Sequence, residues 1–406
     1  MVIKIQEGFI SMEQLIKNIQ EKLSEFKIDG WLFYDFHNRD HIAHRILKLK
    51  PGFTTRRWYY FIPAKGEPVK LVHSIEQGKL DSLPGKKLVY LPWTEQQQLL
   101  REILSGHKKV AMQYSPENAI PYVSLVDGGT IELVQKMGVE VVSSADLIQF
   151  FEAVIDVEGY KSHMDTGKII HQIKDDAFRK IKEKIEKGEK TTEYEIQQFI
   201  VKKFEENNLT CEEEYPIVAV NENSGNPHYE PTAAKSSEIK EGDFVLIDLW
   251  AKNKKPGSIY YDITWVGFVG EKIPPKIVEV FEIVRDARDK SVEFIEEKFD
   301  RGEPVYGWEV DKVCRDYIES KGYGKYFIHR TGHNIGEYVH GNGVNIDNLE
   351  TQDRRQLIPN ICFSIEPGIY LKDFGVRSEI DVFIRENYKV EVTGPKQMEI
   401  IKIMNL

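Results

Sequence analysis

The chain has 406 residues, 41% hydrophobic and 30% charged with no low-complexity tract, so length and composition point to a two-domain globular protein and exclude wholesale disorder. A formal net charge of −10, from 65 acidic against 55 basic residues, removes the global attraction that phosphate-backbone binding needs and excludes nucleic acid as the expected partner. No run approaches the roughly 20 apolar residues of a membrane helix, and the N-terminal MVIKIQEGFISMEQL lacks a basic region followed by an apolar stretch, so a cytoplasmic chain without a membrane partner is expected.

The first 155 residues alternate helical and strand signals, which predicts an α/β module. EQLIKNIQEKLSEF reads as an amphipathic helix, WLFY as a strand, and WYYFIP with VKLVH as a strand pair. Arg56, Arg57 and Trp58 before YYFIP read as a strand edge with solvated arginines. His37, His41 and His44 lack the acidic or cysteine companions of a metal site. VEVVSS and ADLIQFFEAVI supply a last strand and helix, and the charged stretch DVEGYKSHMD reads as a junction, with the domain boundary near residue 155.

Beyond it, GKIIHQIKDDAFRKIKEKIEKG and TTEYEIQQFIVKKFEENN read as helices. The second is capped by Thr191 or Thr192, with Glu193 and Glu195 on a solvated face. From about residue 215 short β-rich runs dominate, interrupted by helices near 276–298 and 308–321, so residues 156–406 are expected to form an α+β domain. Cys211, Cys314 and Cys362 are scattered and read as buried thiols.

The chemistry concentrates in these runs. FVLIDLW places Asp248 among Phe244, Leu246 and Trp250 on one strand face, and YDITWVGF interrupts a second strand with Asp262. A turn-rich AKNKKPG between them predicts a hairpin that brings the two aspartates together. Adjacent buried carboxylates repel and desolvate badly unless a cation joins them. HRTGHNIGEYVHG then packs His329, His333 and His340, three of 11 histidines, among glycines that argue for a loop in close approach to something. The absence of HExxH and the glycines disfavour a helical zinc pair. FSIEPGIY and VRSEIDV insert Glu366 and Glu379 into apolar strands. Four carboxylates and one imidazole suit a pair of Mn²⁺, Co²⁺, Fe²⁺ or Zn²⁺ ions, and such pairs activate water for hydrolysis.

These residues in this order, with the wordings IDLW and YYDIT, HRTGHNIG, SIEPGIY and GVRSEID, resemble the metallopeptidase family of Xaa-Pro aminopeptidases, prolidases and methionine aminopeptidases. The resemblance covers about residues 156–406 and implies the pita-bread fold for them, with residues 1–155 as the accessory domain of the prolidase and aminopeptidase P branch. It implies that Asp248 ligates one ion, that Asp262 and Glu379 bridge, and that His333 and Glu366 hold the other, Glu366 also shuttling the proton. His228 in NPHY, His329 and His340 match histidines around the family's metals that bind substrate and stabilise the tetrahedral intermediate. Arg377 matches a substrate-contacting arginine near the site. A homodimer acting on small peptides, with two divalent ions and manganese first among them, is the expectation.

Three departures bear on specificity. Asp248 and Asp262 lie further apart than in the family; Trp250 replaces its usual glycine and Trp265 its arginine, which places bulk beside the ligands. Arg354 and Arg355 lie near, but out of register with, the arginine that holds the dipeptide carboxylate in prolidases. Three readings remain: an exopeptidase for Xaa-Pro bonds, a metal-dependent hydrolase of a non-proline amide or ester, and a non-catalytic peptide-binding module.

Overall fold

The computed structural model describes residues 11–50, 52–212 and 214–406, so the N-terminal MVIKIQEGFI lies outside the described residues. The chain forms two compact units, Met1–Glu152 and Ala153–Leu406.

Among the described residues of the first unit, strands β1 (Gly30–Asp35), β2 (Trp58–Pro63), β3 (Val69–His73), β4 (Lys86–Tyr90), β5 (Lys109–Met112) and β6 (Glu140–Ser143) form one sheet in the order β4-β3-β2-β1-β5-β6. The WYYFIP and VKLVH strands pair antiparallel as expected, as do β1 and β2, whereas β3 with β4 and β5 with both β1 and β6 run parallel. Helices α1 (Met12–Glu25), α2 (His41–Ile46), α3 (Trp93–Leu104), α4 (Gly128–Gln135) and α5 (Ala145–Glu152) cover it. Strand alternation decides which helix each side chain meets. Trp31, Phe33, Trp58 and Tyr60 pack with α1, α2 and α5, while Leu32, Tyr59, Phe61 and Leu71 pack with α3 and α4. With both faces covered, strands become nearly continuous apolar runs, which is why WYYFIP shows no polar alternation. β2 is therefore an interior strand and Trp58 a core residue, 1% exposed, which corrects the strand-edge reading.

The second unit opens on α6 (Val157–Glu186), which begins ten residues earlier than the GKII start read from sequence. Asp156 caps it by accepting from Gly159 N at 2.7 Å, and the charged DVEGYKSHMD becomes its first turns rather than a junction. Thr192 caps α7 (Glu193–Glu206) in a capping box with Glu195. Glu193 is not on a solvated face: it is buried and accepts from Val220 N and Ser237 N (both 2.7 Å) and Tyr229 Oη (2.6 Å).

Strands β7 (Leu209–Thr210), β8 (Ile217–Val220), β9 (Phe244–Asn253) and β10 (Tyr261–Phe268) are followed by α8 (Pro275–Asp300) and α9 (Gly307–Ser320). Then come β11 (Asn334–Ile335), β12 (Cys362–Ile365), β13 (Gly368–Tyr370), β14 (Gly375–Arg377), β15 (Ile380–Ile384), β16 (Val390–Val392) and β17 (Ile401–Lys402). Among the described residues one sheet runs β17-β10-β9-β7 with β8 also on β9, a second runs β11-β12-β15-β16, and β13 pairs with β14. The β9–β10 hairpin is two-faced. Val245, Ile247, Leu249 and Ile263 pack with α6 and α7, whereas Phe244, Leu246, Val266 and Phe268 pack with α8 and α9. The three cysteines are buried free thiols, and no helix among the described residues is long and apolar enough to cross a membrane.

Candidate metal centre

In the β9–β10 register Asp248 lies opposite Thr264 and Trp250 opposite Asp262. All four share one face, so the aspartates are diagonal neighbours, within reach of one another across the pair. The third carboxylate arrives on the residue before β15. Glu379 N donates to Thr264 O at 3.3 Å, and Thr264 Oγ1 donates to Glu379 Oε2 at 2.7 Å. His333 and Glu366 are set by the second sheet. Gly332 runs so close to β12 that a Cβ there would stand 1.9 Å from Ser364 O, which is the close approach the glycines implied. Ser364 then ties two site residues together, its hydroxyl accepting from His333 N (3.0 Å) and donating to Glu366 Oε1 (3.1 Å). His333 Nε2 ends 3.3 Å from Glu366 Oε1 and 3.7 Å from Asp262 Oδ2. Asp262, His333 and Glu379 each present a ligand atom within 4.8 Å of the others.

Such a cluster is costly without a cation. Burial pushes the carboxyl groups of Asp262 and Glu379 well above the usual range, and Asp248 and Glu366 add to it by repulsion. Burial also raises Asp248 against the pull of Arg377, and raises Glu366 to about 7. Burial holds His333 well below its ordinary value, so its ring is neutral and a lone pair is available. Asp248 Oδ1 and Asp262 Oδ1 are buried without a hydrogen-bond partner. Orphaned carboxylate oxygens beside a neutral imidazole fit divalent cations, whose charge would offset the repulsion.

The remaining residues named from sequence differ in exposure and in partners. His340 is exposed, its ring edge-on to His333 with centroids 4.5 Å apart. His329 is half-buried: its Nδ1–H donates to Arg330 O at 2.7 Å, its Nε2 accepts from Tyr370 Oη at 2.7 Å, and burial pushes its pKa down to about 3. His228 is exposed on the loop before β9. Arg377 is buried and turned on the ligands. It donates to Asp248 Oδ2, to Thr264 Oγ1 (3.0 Å) and to Tyr370 Oη (2.9 Å).

Trp265 corrects an expectation. Three positions from Asp262 on a strand, it points to the opposite face, where Lys174 Nζ sits 3.6 Å from its ring centroid and His171 packs edge-on. Of the two tryptophans, Trp250 is the one on the ligand face. Arg355 also departs from its expected use: it is buried, paired with Asp353 at 2.6 Å and donating to Asn342 O at 2.6 Å, while exposed Arg354 donates to Gln352. Sequence reasoning missed Thr264, Tyr370 and Asp381, whose Oδ2 accepts from Asp262 N at 2.8 Å. Thr264 was findable, since it shares the Asp262 face two residues on.

Comparison with known proteins agrees with this architecture. The chain is 34% identical over 181 residues to a putative Xaa-Pro aminopeptidase of Mycoplasma pneumoniae, a match covering 43% of this chain. The chain spans about half the length of the curated relatives it matches, 46% for that one. Among solved structures, a prolidase from Thermococcus sibiricus superposes with a TM-score of 0.62 at 22% identity, covering 97% of this chain and 100% of that one. An X-prolyl aminopeptidase from Caenorhabditis elegans, described as a cytosolic enzyme with a di-nuclear active site, gives 0.65 at 17% identity over 98% of this chain and 65% of that one. The shared fold is the pita-bread fold preceded by an α/β domain. The profile of metallopeptidase family M24 matches residues 167–386, a span that holds every carboxylate and histidine of the cluster, and the chain belongs to that family.

Proposed function

We propose that the chain is a dinuclear-metal exopeptidase that hydrolyses Xaa-Pro bonds in dipeptides or at the N-termini of short peptides. One observation carries this reading: Asp248, Asp262, Glu366 and Glu379 converge with a neutral His333 in a cluster where Asp248 Oδ1 and Asp262 Oδ1 are buried without partners. The substrate class is supported by the relatives described as an Xaa-Pro aminopeptidase and a prolidase, and the number of ions by the di-nuclear site of the C. elegans enzyme.

Asp248, Asp262, His333, Glu366 and Glu379 would hold two divalent ions, manganese foremost, with Co²⁺, Zn²⁺ and Fe²⁺ as alternatives that the donor set also accepts. Bound there, the ions supply an acidified water and polarise the scissile carbonyl. The protein's own part is positioning and proton transfer. Glu366 is the most exposed of the inner carboxylates, at 15%, with Oε1 held by Ser364. Its other oxygen takes the proton of the attacking water and returns it to the leaving nitrogen. His228 and His340, both exposed, bind the peptide and donate to the oxygen that gains charge, while His329, its ring held between Arg330 O and Tyr370 Oη, helps to fix Tyr370 beside them. Arg377 keeps Asp248 and Tyr370 in place.

Residues 1–155 form the accessory domain and 156–406 the catalytic one, in a cytoplasmic homodimer whose stoichiometry sedimentation tests. Trp250, opposite Asp262 on the ligand face, favours a second reading in which the preferred amide lacks proline. Metal-loaded protein assayed against Xaa-Pro dipeptides, longer Xaa-Pro peptides and non-proline peptides separates the two. Inactivity on every Xaa-Pro substrate, or activity that survives Glu366→Gln, sinks the leading reading.

A further inference from the structure

The first unit contains an open cleft of about 910 Å³ that the peptidase reading does not use. Its walls come from the segment after β1 (Arg39), the approach to β2 (Arg56, Arg57), the end of β3 (His73) and the turn from β4 into α3 (Tyr90, Trp93). The size suits a small organic ligand.

Its charge is opposite to that of the chain. Arg39, Arg56, Arg57 and Lys136 line the cleft with only Asp127 and Glu132, in a protein of net charge −10. Both acids are already engaged. Asp127 caps α4, accepting from Thr130 N at 2.9 Å and Thr130 Oγ1 at 2.8 Å, and Glu132 lies 4.0 Å from Lys136. Among the described residues no carboxylate lies within ion-pair distance of Arg39, Arg56 or Arg57, although Arg56 donates to the Thr55 carbonyl and hydroxyl at 3.1 Å. Three arginines that line one cleft with no carboxylate paired to them repel one another.

His73 adds a directed donor. Its Nδ1 accepts from Ile75 N at 3.1 Å, so the ring hydrogen sits on Nε2, and its ring stands edge-on to Tyr90 with centroids 4.9 Å apart. Trp93, at the start of α3, leaves 62% of its surface in solvent. A large indole that exposed beside a cationic cleft offers a flat face to a planar ring.

We propose that this cleft binds a phosphorylated ligand with an aromatic ring, of the nucleoside monophosphate class, its phosphate on Arg56, Arg57 and the His73 Nε2–H and its ring on Trp93. A carboxylate offers two oxygens and one charge. A phosphate monoester offers three oxygens and close to two charges, which matches three donors lining one cleft better.

Calorimetric titration of the full chain with AMP, adenosine, inorganic phosphate and N-acetylphenylalanine tests this. Saturable AMP binding is expected, with each of the other three at least about tenfold weaker, because each lacks either the ring or the dianion. Arg57→Gln is expected to weaken AMP by about tenfold or more without altering turnover of an Xaa-Pro dipeptide. Trp93→Ala, at an exposed position that folding does not require, is expected to bring AMP down toward the affinity of phosphate. The thermal midpoint of each variant, measured without ligand, confirms that it is folded. No saturable AMP binding overturns the proposal, as does N-acetylphenylalanine binding as tightly as AMP, or AMP affinity unchanged in a folded Arg57→Gln. A fall in kcat in that variant with AMP affinity intact overturns it equally, since the arginine then serves the peptidase reaction.

Discussion

Thr264 is a small residue in a demanding place, giving its proton to Glu379 and accepting from Arg377 Nε. Thr264→Val keeps the shape and removes both bonds, leaving a buried carboxylate oxygen and a guanidinium nitrogen unpaired at about 1–3 kcal/mol. Metal affinity or activity is expected to fall by roughly 10- to 100-fold, as for other groups that orient metal ligands. Metal titration by calorimetry reads this directly, and wild-type affinity in the variant would count against a role for Thr264. Asp40 in the first unit offers a pH test remote from the cluster. It caps α2 through Ala43 N at 2.8 Å while Oδ2 is buried without a partner, and burial, with Asp35 and Glu152 nearby, raises its pKa to about 8. The folded state therefore holds this proton more tightly than the unfolded chain. Its contribution to stability is complete below about pH 4 and is lost as pH rises through about 8. Asp40→Asn keeps the capping acceptor without the charge, so it should flatten that loss, and urea midpoints at pH 5.5 and 8 compare the slopes. At this scale acidic residues among apolar neighbours were plain in the sequence. The face of Trp265 was equally readable, because an odd separation from Asp262 on a strand reverses the side, whereas the burial of Glu193 was not, since an acid in a first helical turn looks the same solvated or buried.

Glu193 acts on an element, the loop between β8 and β9 that carries His228. One carboxylate gathers Val220 N at the loop's start, Asn223 Nδ2 (2.9 Å to Oε1), Tyr229 Oη beside His228, and Ser237 N. Glu193→Gln cannot accept at both ends, so the loop should loosen while the metal ligands on β9 and β10 stay fixed. KM for a peptide should rise about 10-fold with a smaller change in kcat, the signature of lost substrate binding rather than lost chemistry. Faster protease cleavage within 221–237 would accompany it; a kcat loss with KM unchanged points elsewhere. The helix α6 carries the opposite lesson about glycine. The sequence reads as starting this helix at Gly167, yet Gly167 lies inside it, and a Cβ there would lie 2.4 Å from the Tyr261 ring, so the glycine is there for close packing. Gly167→Ala gains about 1 kcal/mol of helix propensity. Overpacking costs about 1–3 kcal/mol, and it should dominate because Tyr261 is 1% exposed, flanked by His163 and His171, and cannot swing away. A net loss of stability in denaturant unfolding is expected, and a gain would mean that the ring yields. Periodicity alone could not separate a packing glycine from a break, because the partner strand is nearly a hundred residues away.

At the scale of the molecule, sequence order already separated an α/β half from an α+β half. The convergence of the cluster was harder to read, because Asp248 lies on β9 and Glu379 just before β15, strands of different sheets, and Thr264 and Arg377 link them. That convergence makes the second unit's stability depend on cations. Five carboxylates, buried Asp248, Asp262, Glu379 and Asp381 with half-buried Glu366, face the buried guanidinium of Arg377 and a neutral His333. Without metal the folded state carries this repulsion, and the unfolded chain escapes it into water. Ligands that bind only the folded state stabilise it by mass action, about 2.7 kcal/mol per site at a hundredfold excess over Kd. Removing metal with a chelator should therefore lower the thermal midpoint and speed hydrogen exchange across β9, β10, β12 and β15, and Mn²⁺ should restore both. Strands β1 and β5 of the first unit hold no ligand, so their exchange should not respond. Glu379→Gln sharpens the comparison: it relieves repulsion in the metal-free protein while weakening the site, so its metal-free midpoint should match or exceed the wild type's and its gain from Mn²⁺ should shrink. If chelator and Mn²⁺ leave the exchange of β9 and β10 unchanged, the carboxylates are not held by cations, and the hydrolase reading falls with them.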